Sequence, residues 1–275
     1  MTVNDWFAQA MALPVPKGHV RLWRLGQSGF LLRGAGATVC LDPFLSDMPG
    51  RVARSIVAAA DMEGVDVFYG SHDHPDHIDK AAWQTLGRKN PGAVFIVPGL
   101  LRERLAQETG LPVERFLGLE DGRTLRVGDL RFTGVASAHE FLDARDGRFP
   151  YMGCVLEMEG TRLYHPGDTC LYEGLAEKLR CAGPLDAMLL PINGRDGARY
   201  QSGILGNMTF QEAADLAGLL CPHLAVPTHY DMFQGNLEDP ENFTRYLRAK
   251  YPKQRFWIGK IGEYTTLPEG SGLDG

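Results

Sequence analysis

Residues 71 to 77 read Ser71-His72-Asp73-His74-Pro75-Asp76-His77, three histidines and two aspartates inside one bend of chain. No other feature limits the fold so strongly, because groups this dense in lone pairs have to be held together at the end of a scaffold element. At this chain's own His and Asp frequencies, a His-x-His-x-Asp-His string arises by chance on the order of once in two thousand such sequences. An extended segment sends residues i and i+2 to one side, so His72 and His74 can grip one ion together while Pro75 keeps His74 extended and begins a turn. Past the proline the chain should bend into a helix starting near Ile78 or Asp79, which aims Asp76 and His77 at a second ion a few ångströms away. Imidazoles and carboxylates suit Zn(II), Mn(II), Fe(II) or Co(II), and the lack of a cysteine in the run argues against a closed structural zinc site.

The rest of the composition fits an enzyme acting on a small molecule. At 275 residues the chain is long enough to bury a sizeable core. No linker, charge run or low-complexity segment divides it, so a single domain over residues 1–275 is expected. The net charge of −6 argues against a protein that coats nucleic acid or an anionic membrane. Five cysteines (Cys40, Cys154, Cys170, Cys181 and Cys221) lack CxxC spacing, and their odd number reads as reduced thiols in a cytoplasm. Met1 to Leu13 has no basic segment followed by an apolar core, and no stretch reaches the roughly eighteen apolar residues of a membrane span. A cytoplasmic location follows as an expectation. The apolar group Trp6, Phe7, Met11 and Leu13 could cover a second copy in a homo-oligomer or pack on the chain's own core.

Hydrophobic periodicity gives the order of elements. Val20 to Leu25, Phe30 to Arg33 and Ala37 to Asp42 read as an antiparallel meander joined by glycine turns. Asp66 to Tyr69 is an apolar strand that delivers the histidine run. A helix through Trp83 and Leu86, a strand at Ala93 to Val97 and a helix from Leu100 to Glu108 continue it in a βαβα rhythm. From Thr124 the pattern returns to hairpins, turning at Val127-Gly128-Asp129 and Glu159-Gly160, before a strand at Asp186 to Ile192. Thr209 should cap a helix from Phe210 to Leu220, followed by a strand at His223 to Pro227, a helix from Pro240 to Lys250 and a closing strand at Arg255 to Ile258. Two β-rich halves, each with helices, suggest an α/β fold of two sheets face to face with helices outside.

Few residues remain that could complete a two-metal site. His139 follows the strand Phe132 to Ala138, Asp168 ends His165-Pro166-Gly167-Asp168-Thr169, and His229 ends Val226-Pro227-Thr228-His229. Each sits on a loop held at a strand end, where sites on sheet scaffolds are built. The ordered set His-x-His-x-Asp-His, His, Gly-Asp-Thr, His resembles the metallo-β-lactamase-fold hydrolases over nearly the whole chain. Leu25-Gly26-Gln27-Ser28-Gly29-Phe30, Leu41-Asp42-Pro43-Phe44, Tyr164-His165-Pro166-Gly167-Asp168 and Pro227-Thr228-His229-Tyr230-Asp231 are similar to the L-ascorbate-6-phosphate lactonase branch. That resemblance implies a four-layer αββα sandwich and two Mn2+ or Zn2+ ions. It places His72, His74 and His139 on one ion and Asp76, His77 and His229 on the other, with Asp168 between them.

The chemistry expected of such a site is hydrolysis. A water or hydroxide bridging two divalent ions has its pKa lowered toward neutrality, so no serine or cysteine nucleophile is needed. Asp76 is the nearest candidate to carry a proton to a leaving alkoxide, and Asp168 is expected at the reacting centre. The first expectation is a lactonase opening a sugar lactone or its phosphate; the alternative is a phosphodiesterase on a small nucleotide or phosphorylated metabolite. A metal-loaded sensor without turnover is disfavoured by the complete ligand set, and a di-iron oxygen reductase by the lack of a flavin-binding partner domain. Around the site, Asp42 could orient a ligand imidazole or merely form a turn before Pro43. His165 could line the site or pack beside Tyr164. The segment holding Asn193, Arg195 and Arg199 offers the arginine pair that could fork an anionic substrate, against the plainer reading of solvated loop charges.

Overall fold

Alternating side chains along the strands sort the molecule into layers. A computed structural model describes residues 3–268, and Met1, Thr2 and residues 269–275 lie outside it. In chain order the strands are β1 (Val20–Gly26), β2 (Gly29–Arg33), β3 (Thr38–Leu41), β4 (Val67–Tyr69), β5 (Val94–Pro98), β6 (Phe116–Leu119), β7 (Thr124–Val127), β8 (Leu130–Ala136), β9 (Met152–Met158), β10 (Thr161–His165), β11 (Ala187–Pro191), β12 (Leu224–Thr228) and β13 (Tyr264–Leu267). They form a seven-stranded sheet in the order β13-β1-β2-β3-β4-β5-β6 and a six-stranded sheet in the order β12-β11-β10-β9-β8-β7. Leu22, Leu41, Val67 and Tyr69 of the first sheet meet Phe132, Leu156, Leu189 and Val226 of the second in a central apolar layer. Their sequence neighbours point the other way. Trp23, Cys40 and Phe68 face helices α1 (Val3–Ala12), α2 (Lys80–Lys89) and α3 (Arg102–Thr109). Val155, Met188 and Ala225 face α4 (Leu175–Cys181), α6 (Phe210–Leu220) and α7 (Pro240–Lys250), with the short α5 (Gly197–Gln201) in the loop before α6. The result is the expected αββα sandwich.

Direction in the sheets decides where function can sit. Strands β3 to β6 pair in parallel, as do β10, β11 and β12, while β8 is antiparallel to β9 and β9 to β10. The carboxyl ends of β3, β4, β8, β10, β11 and β12 therefore open loops that converge on one site. Parallel strands buried on both faces read as continuous apolar runs, which is why Val94–Pro98 and Ala187–Pro191 stand out in the sequence.

Several expectations shift in the structure. The closing strand expected at Arg255 to Ile258 is a single bridge between Ala225 and Phe256. The chain cannot stay on β12, because it crosses to the other sheet, where Gly262 N–H donates to Arg24 O and β13 pairs with β1. The expected helix from Leu100 splits into a 3-10 turn at Gly99–Leu101 and α3. Thr209 caps α6 with a reciprocal box: Glu212 N–H donates to its hydroxyl, and its own N–H donates to the Glu212 carboxylate. The N-terminal apolar group is used internally. Phe7 is buried, Trp6, Met11 and Leu13 pack on the first helical layer, and Trp6 Nε1–H donates to Gly262 O.

Asp79 ties the histidine run to the layer beneath it. Its buried carboxylate caps α2 by accepting from Ala82 N (3.0 Å), and it also accepts from Leu45 N (3.1 Å), Ser46 N (2.7 Å) and Ser46 Oγ (2.8 Å). Removing it orphans a helix start and a loop at once. Asp79→Ala should lower the free energy of unfolding by about 2–4 kcal/mol in a urea titration. A loss below about 0.5 kcal/mol would mean that water replaces all four bonds.

Candidate metal centre

Strand β4 ends at Tyr69, and the next residue has to be small. A Cβ on Gly70 would lie 2.5 Å from Ile78 Cγ1 and 2.8 Å from the Trp83 ring, so only glycine lets α2 sit directly over the strand exit. The chain then turns more tightly than the extended segment expected. His74 N–H donates to His72 O at 3.0 Å, and the N–H groups of His77 and Ile78 both donate to His74 O. His72 and His74 still converge, with Nε2 of the first 2.9 Å from Nδ1 of the second, but a turn rather than strand alternation brings them together.

Loops from the second sheet complete the cluster. His139 follows β8, Asp168 follows β10, and His229 follows β12 in a left-handed backbone conformation. Asp168 is central: Oδ1 lies 3.2 Å from His77 Nε2, and Oδ2 lies 3.1 Å from His229 Nε2 and 3.7 Å from His139 Nε2. Three groups place their ligand atoms within 4.8 Å of one another: His72, His74 and His139; His72, His77 and Asp168; and Asp76, His77 and His229. Two buried atoms in the middle, His77 Nε2 and Asp168 Oδ1, face each other at 3.2 Å and have no other hydrogen-bond partner. Lone-pair donors of hard and borderline type converging in this way fit divalent cations.

Behind the cluster lies Asp42. Oδ2 accepts from Ser71 Oγ (2.7 Å), His77 Nδ1 (2.7 Å) and His165 Nε2 (2.9 Å), while Oδ1 accepts from Ser71 N (2.8 Å). Bonding Nδ1 turns the His77 Nε2 lone pair toward Asp168. His139 is set the same way, its Nδ1–H donating to Gly206 O at 3.1 Å. His165 is buried behind Asp42, edge-on to Tyr69, and does not line the cleft.

Electrostatics divide the histidines. Burial, reinforced by neighbouring imidazoles, lowers His72 and His74, and burial also lowers His139. Burial would lower His77 and His229 as well, but the carboxylates of Asp168 and Asp76 outweigh it. His77 rises, and His229 rises to about 9. Burial would likewise raise Asp76 and Asp168, yet the charges of His77 and His229 hold both carboxyls below the usual range.

Two neighbours were not singled out from the sequence. Gln27, buried in the β1–β2 turn with φ of +51°, donates from Nε2 to Asp76 Oδ2 at 2.7 Å and lies 3.0 Å from His229 Nε2. Its signal was present in Leu25-Gly26-Gln27-Ser28-Gly29-Phe30, where a non-glycine residue occupies a tight turn. Tyr151 stands with its ring 5.3–6.2 Å from those of His72, His74 and His139, and no local motif marks it. The arginine pair is engaged away from the cluster. Arg195 forks onto Glu212 at 2.7 Å and 2.7 Å, and Arg199 is held by Asp196, Asn236 Oδ1 and Leu237 O. Glu212 on α6 takes up one guanidinium, and Asp196 together with the loop after β12 takes up the other. Asn193 is buried between Asn207 and Asn236.

The cluster opens into a cleft of about 500 Å³. Met48, Pro49 and Pro75 border it, as do Ile204, Leu205 and Phe233, with His74, Asp76, His139, Asp168 and His229 among its lining groups.

Comparison with known proteins follows this geometry closely. The beta-lactamase superfamily domain matches residues 21–229, from β1 to His229. The UPF0173 metal-dependent hydrolase of Aeropyrum pernix is 30% identical over 258 residues, 88% of this chain and 96% of that protein. Its counterpart in Rubrobacter xylanophilus is 31% identical over 253 residues, 90% of this chain and 96% of its own. Two solved structures share the fold. Igni18, a metallo hydrolase of Ignicoccus hospitalis, has a TM-score of 0.71 at 23% identity, covering 90% of this chain and 98% of its own. The isothiocyanate hydrolase from Delia radicum gut bacteria has a TM-score of 0.72 at 19% identity, covering 89% and 98%.

Metal uptake should release protons. A cation takes only the neutral imidazole, and a group is protonated below its pKa, so at pH 7 His77 and His229 each have a proton to lose. Filling the site of chelator-treated protein at pH 7 in weak buffer should therefore release about two protons, and affinity should rise with pH, the His229 share of that rise ending at about 9. Proton release near zero would contradict the charge assignment. Asp42→Ala should weaken metal binding by about 10–100-fold in a chelator competition, because His77 loses the group that fixes its ring.

Proposed function

The chain belongs to the metallo-β-lactamase superfamily and is a metal-dependent hydrolase, and from that premise we propose that it opens a neutral cyclic ester on a site holding two divalent cations. The observation carrying this reading is Asp168, whose two oxygens stand between the His72–His74–His139 group and the Asp76–His77–His229 group at the head of an otherwise apolar cleft. Such a carboxylate can serve two ions at once. Cations bound there would lower the pKa of a shared water and polarise an ester carbonyl.

The chain's own residues would do the rest. Asp42 and Gly206 O fix the rings of His77 and His139, so the ligand set is in place before substrate arrives. Gln27 anchors Asp76 through Oδ2, which keeps that ionised carboxylate at the cleft wall, where it could take the proton released by the attacking water and pass it to the departing alkoxide oxygen. Burial, with Asp143 nearby, raises the Tyr151 phenol, so it stays a hydrogen-bond donor beside His72 and His74. Cys170 is no rival nucleophile. Its thiol is buried, pushed up by that burial, and directed at Gly206 O.

The likeness to the lactonase branch favours a lactone over a phosphodiester, and the lining of the cleft favours an uncharged one. No lysine or arginine is among its lining residues, and Arg195 and Arg199 are engaged elsewhere. The phosphate of a phosphorylated sugar lactone, held away from the candidate metal ligands, would meet no lysine or arginine in this lining.

The test is hydrolysis by chelator-treated protein refilled separately with Mn2+ and Zn2+. The panel holds neutral lactones, a sugar lactone, bis-p-nitrophenyl phosphate and an isothiocyanate, with His74→Ala as control. Neutral lactones should open with a metal-dependent kcat/KM at least about 100-fold above that of His74→Ala. Cleavage of the phosphodiester alone, or of the isothiocyanate alone, would replace the lactonase reading.

A further inference from the structure

We propose that the cleft selects esters carrying an apolar chain, seated between Met48 and Pro49 on one wall and Ile204 and Leu205 on the other, over Phe233. The inference rests on the lactonase reading only for which bond is broken. Its first support is the lining: apart from the ligand groups, the polar side chains present are Gln234 and Asn236, both uncharged. At about 500 Å³ the cleft lies within the range of small-molecule sites, well beyond what a bare lactone ring fills.

The construction of the wall is the second support. Phe233 stacks on Phe44 at 5.7 Å, and Arg51 covers the Phe44 ring at 4.3 Å. That guanidinium could have made the cleft cationic. Instead it donates to the carbonyls of Ala53, Ser46 and Phe44, holding the 44–53 loop in shape. The loop is clamped from the far side by Val52 N–H to Met232 O and Gln234 N–H to Gly50 O. The cations in the adjoining hollow are likewise paired, Arg104 with Asp73 and Arg145 with Asp143.

A third support comes from the surface. Most large hydrophobic side chains left exposed among the described residues sit on the loops that build the site. Met48 and Val52 follow β3, Phe141 and Leu142 follow His139, Leu171 follows Asp168, and Tyr200 precedes Ile204. Phe141 and Tyr200, 66% and 71% exposed, stand on these surrounding segments rather than in the cleft lining itself.

The experiment needs a readout independent of which ester is hydrolysed. Straight-chain alkyl hydroxamates, whose head groups chelate metal, would be titrated by calorimetry into the Zn2+-loaded protein from acetohydroxamate to decanohydroxamate. Affinity should climb by about threefold per added methylene until the cleft is filled. In Ile204→Lys and Met48→Lys, two partly exposed positions on opposite walls, the slope of affinity against chain length should flatten, each variant being referred to its own acetohydroxamate value. A flat series in the wild type, or equal slopes in wild type and both variants, overturns the proposal. The lactone panel separates the two readings: a protein that shows the slope but opens no lactone keeps the apolar cleft and loses the lactonase assignment. One that opens lactones regardless of tail length, with a flat hydroxamate series, does the reverse.

Discussion

Everything in the candidate site hangs from the carboxylate of Asp42. It is fully buried at the end of β3, and four hydrogen bonds tie it to Ser71 at the head of the histidine run, to His77 within it, and to His165 on the opposing sheet. A buried anion is costly unless it is fully bonded, and here the bonding partners are the elements that have to be registered against each other. Burial would raise its pKa, but His165 and His77 overcome that and hold it ionised. The fold thus uses one desolvated charge to join its two sheets and to aim a ring. The left-handed backbone at Asp42 is the local strain that accompanies this placement.

The same principle sorts the five histidines. Those near other imidazoles lose affinity for protons, and those facing Asp76 and Asp168 gain it. Three neutral rings then lie on one side and two protonated rings beside carboxylates on the other. In the absence of a cation, these protons balance the buried carboxylates of Asp76 and Asp168. Proton and cation compete for the same lone pairs, and this couples occupancy to pH.

Much of this was legible from the sequence because the chemistry is local or periodic. The run from His72 to His77 announces itself, and the strands that deliver Ser71, Asp168 and His229 are short apolar runs ending in loops. Thr209, Phe210–Leu220 and Pro240–Lys250 carry cap and period signals that the structure repeats. What escaped depends on tertiary context. β13 was missed because Tyr264–Leu267 becomes a strand only by pairing with β1, far away in sequence. Arg255 to Ile258 looked like a strand by propensity, yet the chain has to leave β12 there to reach the other sheet. Arg195 and Arg199 could not be assigned because a guanidinium's partner is set by which loop folds beside it, and here that partner is Glu212 for one and Asp196 for the other. Gln27 reaches the site through a tight turn whose glycines are visible in the sequence, whereas Tyr151 reaches it through a long connection that no local motif marks.

Chemistry and selectivity are therefore carried by different parts of the molecule. The metal-ligating cluster comes from strand ends, where sheet hydrogen bonding fixes positions tightly. The cleft walls come from the 44–53 loop, the segment after α5 and the loop after β12, whose side chains Met48, Ile204 and Phe233 are not among the candidate ligands. Relatives sharing about a third of their residues can keep one metal-dependent hydrolytic chemistry and differ in substrate, because such walls meet a substrate away from the candidate ligands. Here the walls are apolar and the nearby arginines are tied to carbonyls and carboxylates. On the proposed ester-opening reading, discrimination has to arise from how much apolar surface each substrate buries, which separates substrates by chain length far better than by stereochemistry or by the identity of polar substituents.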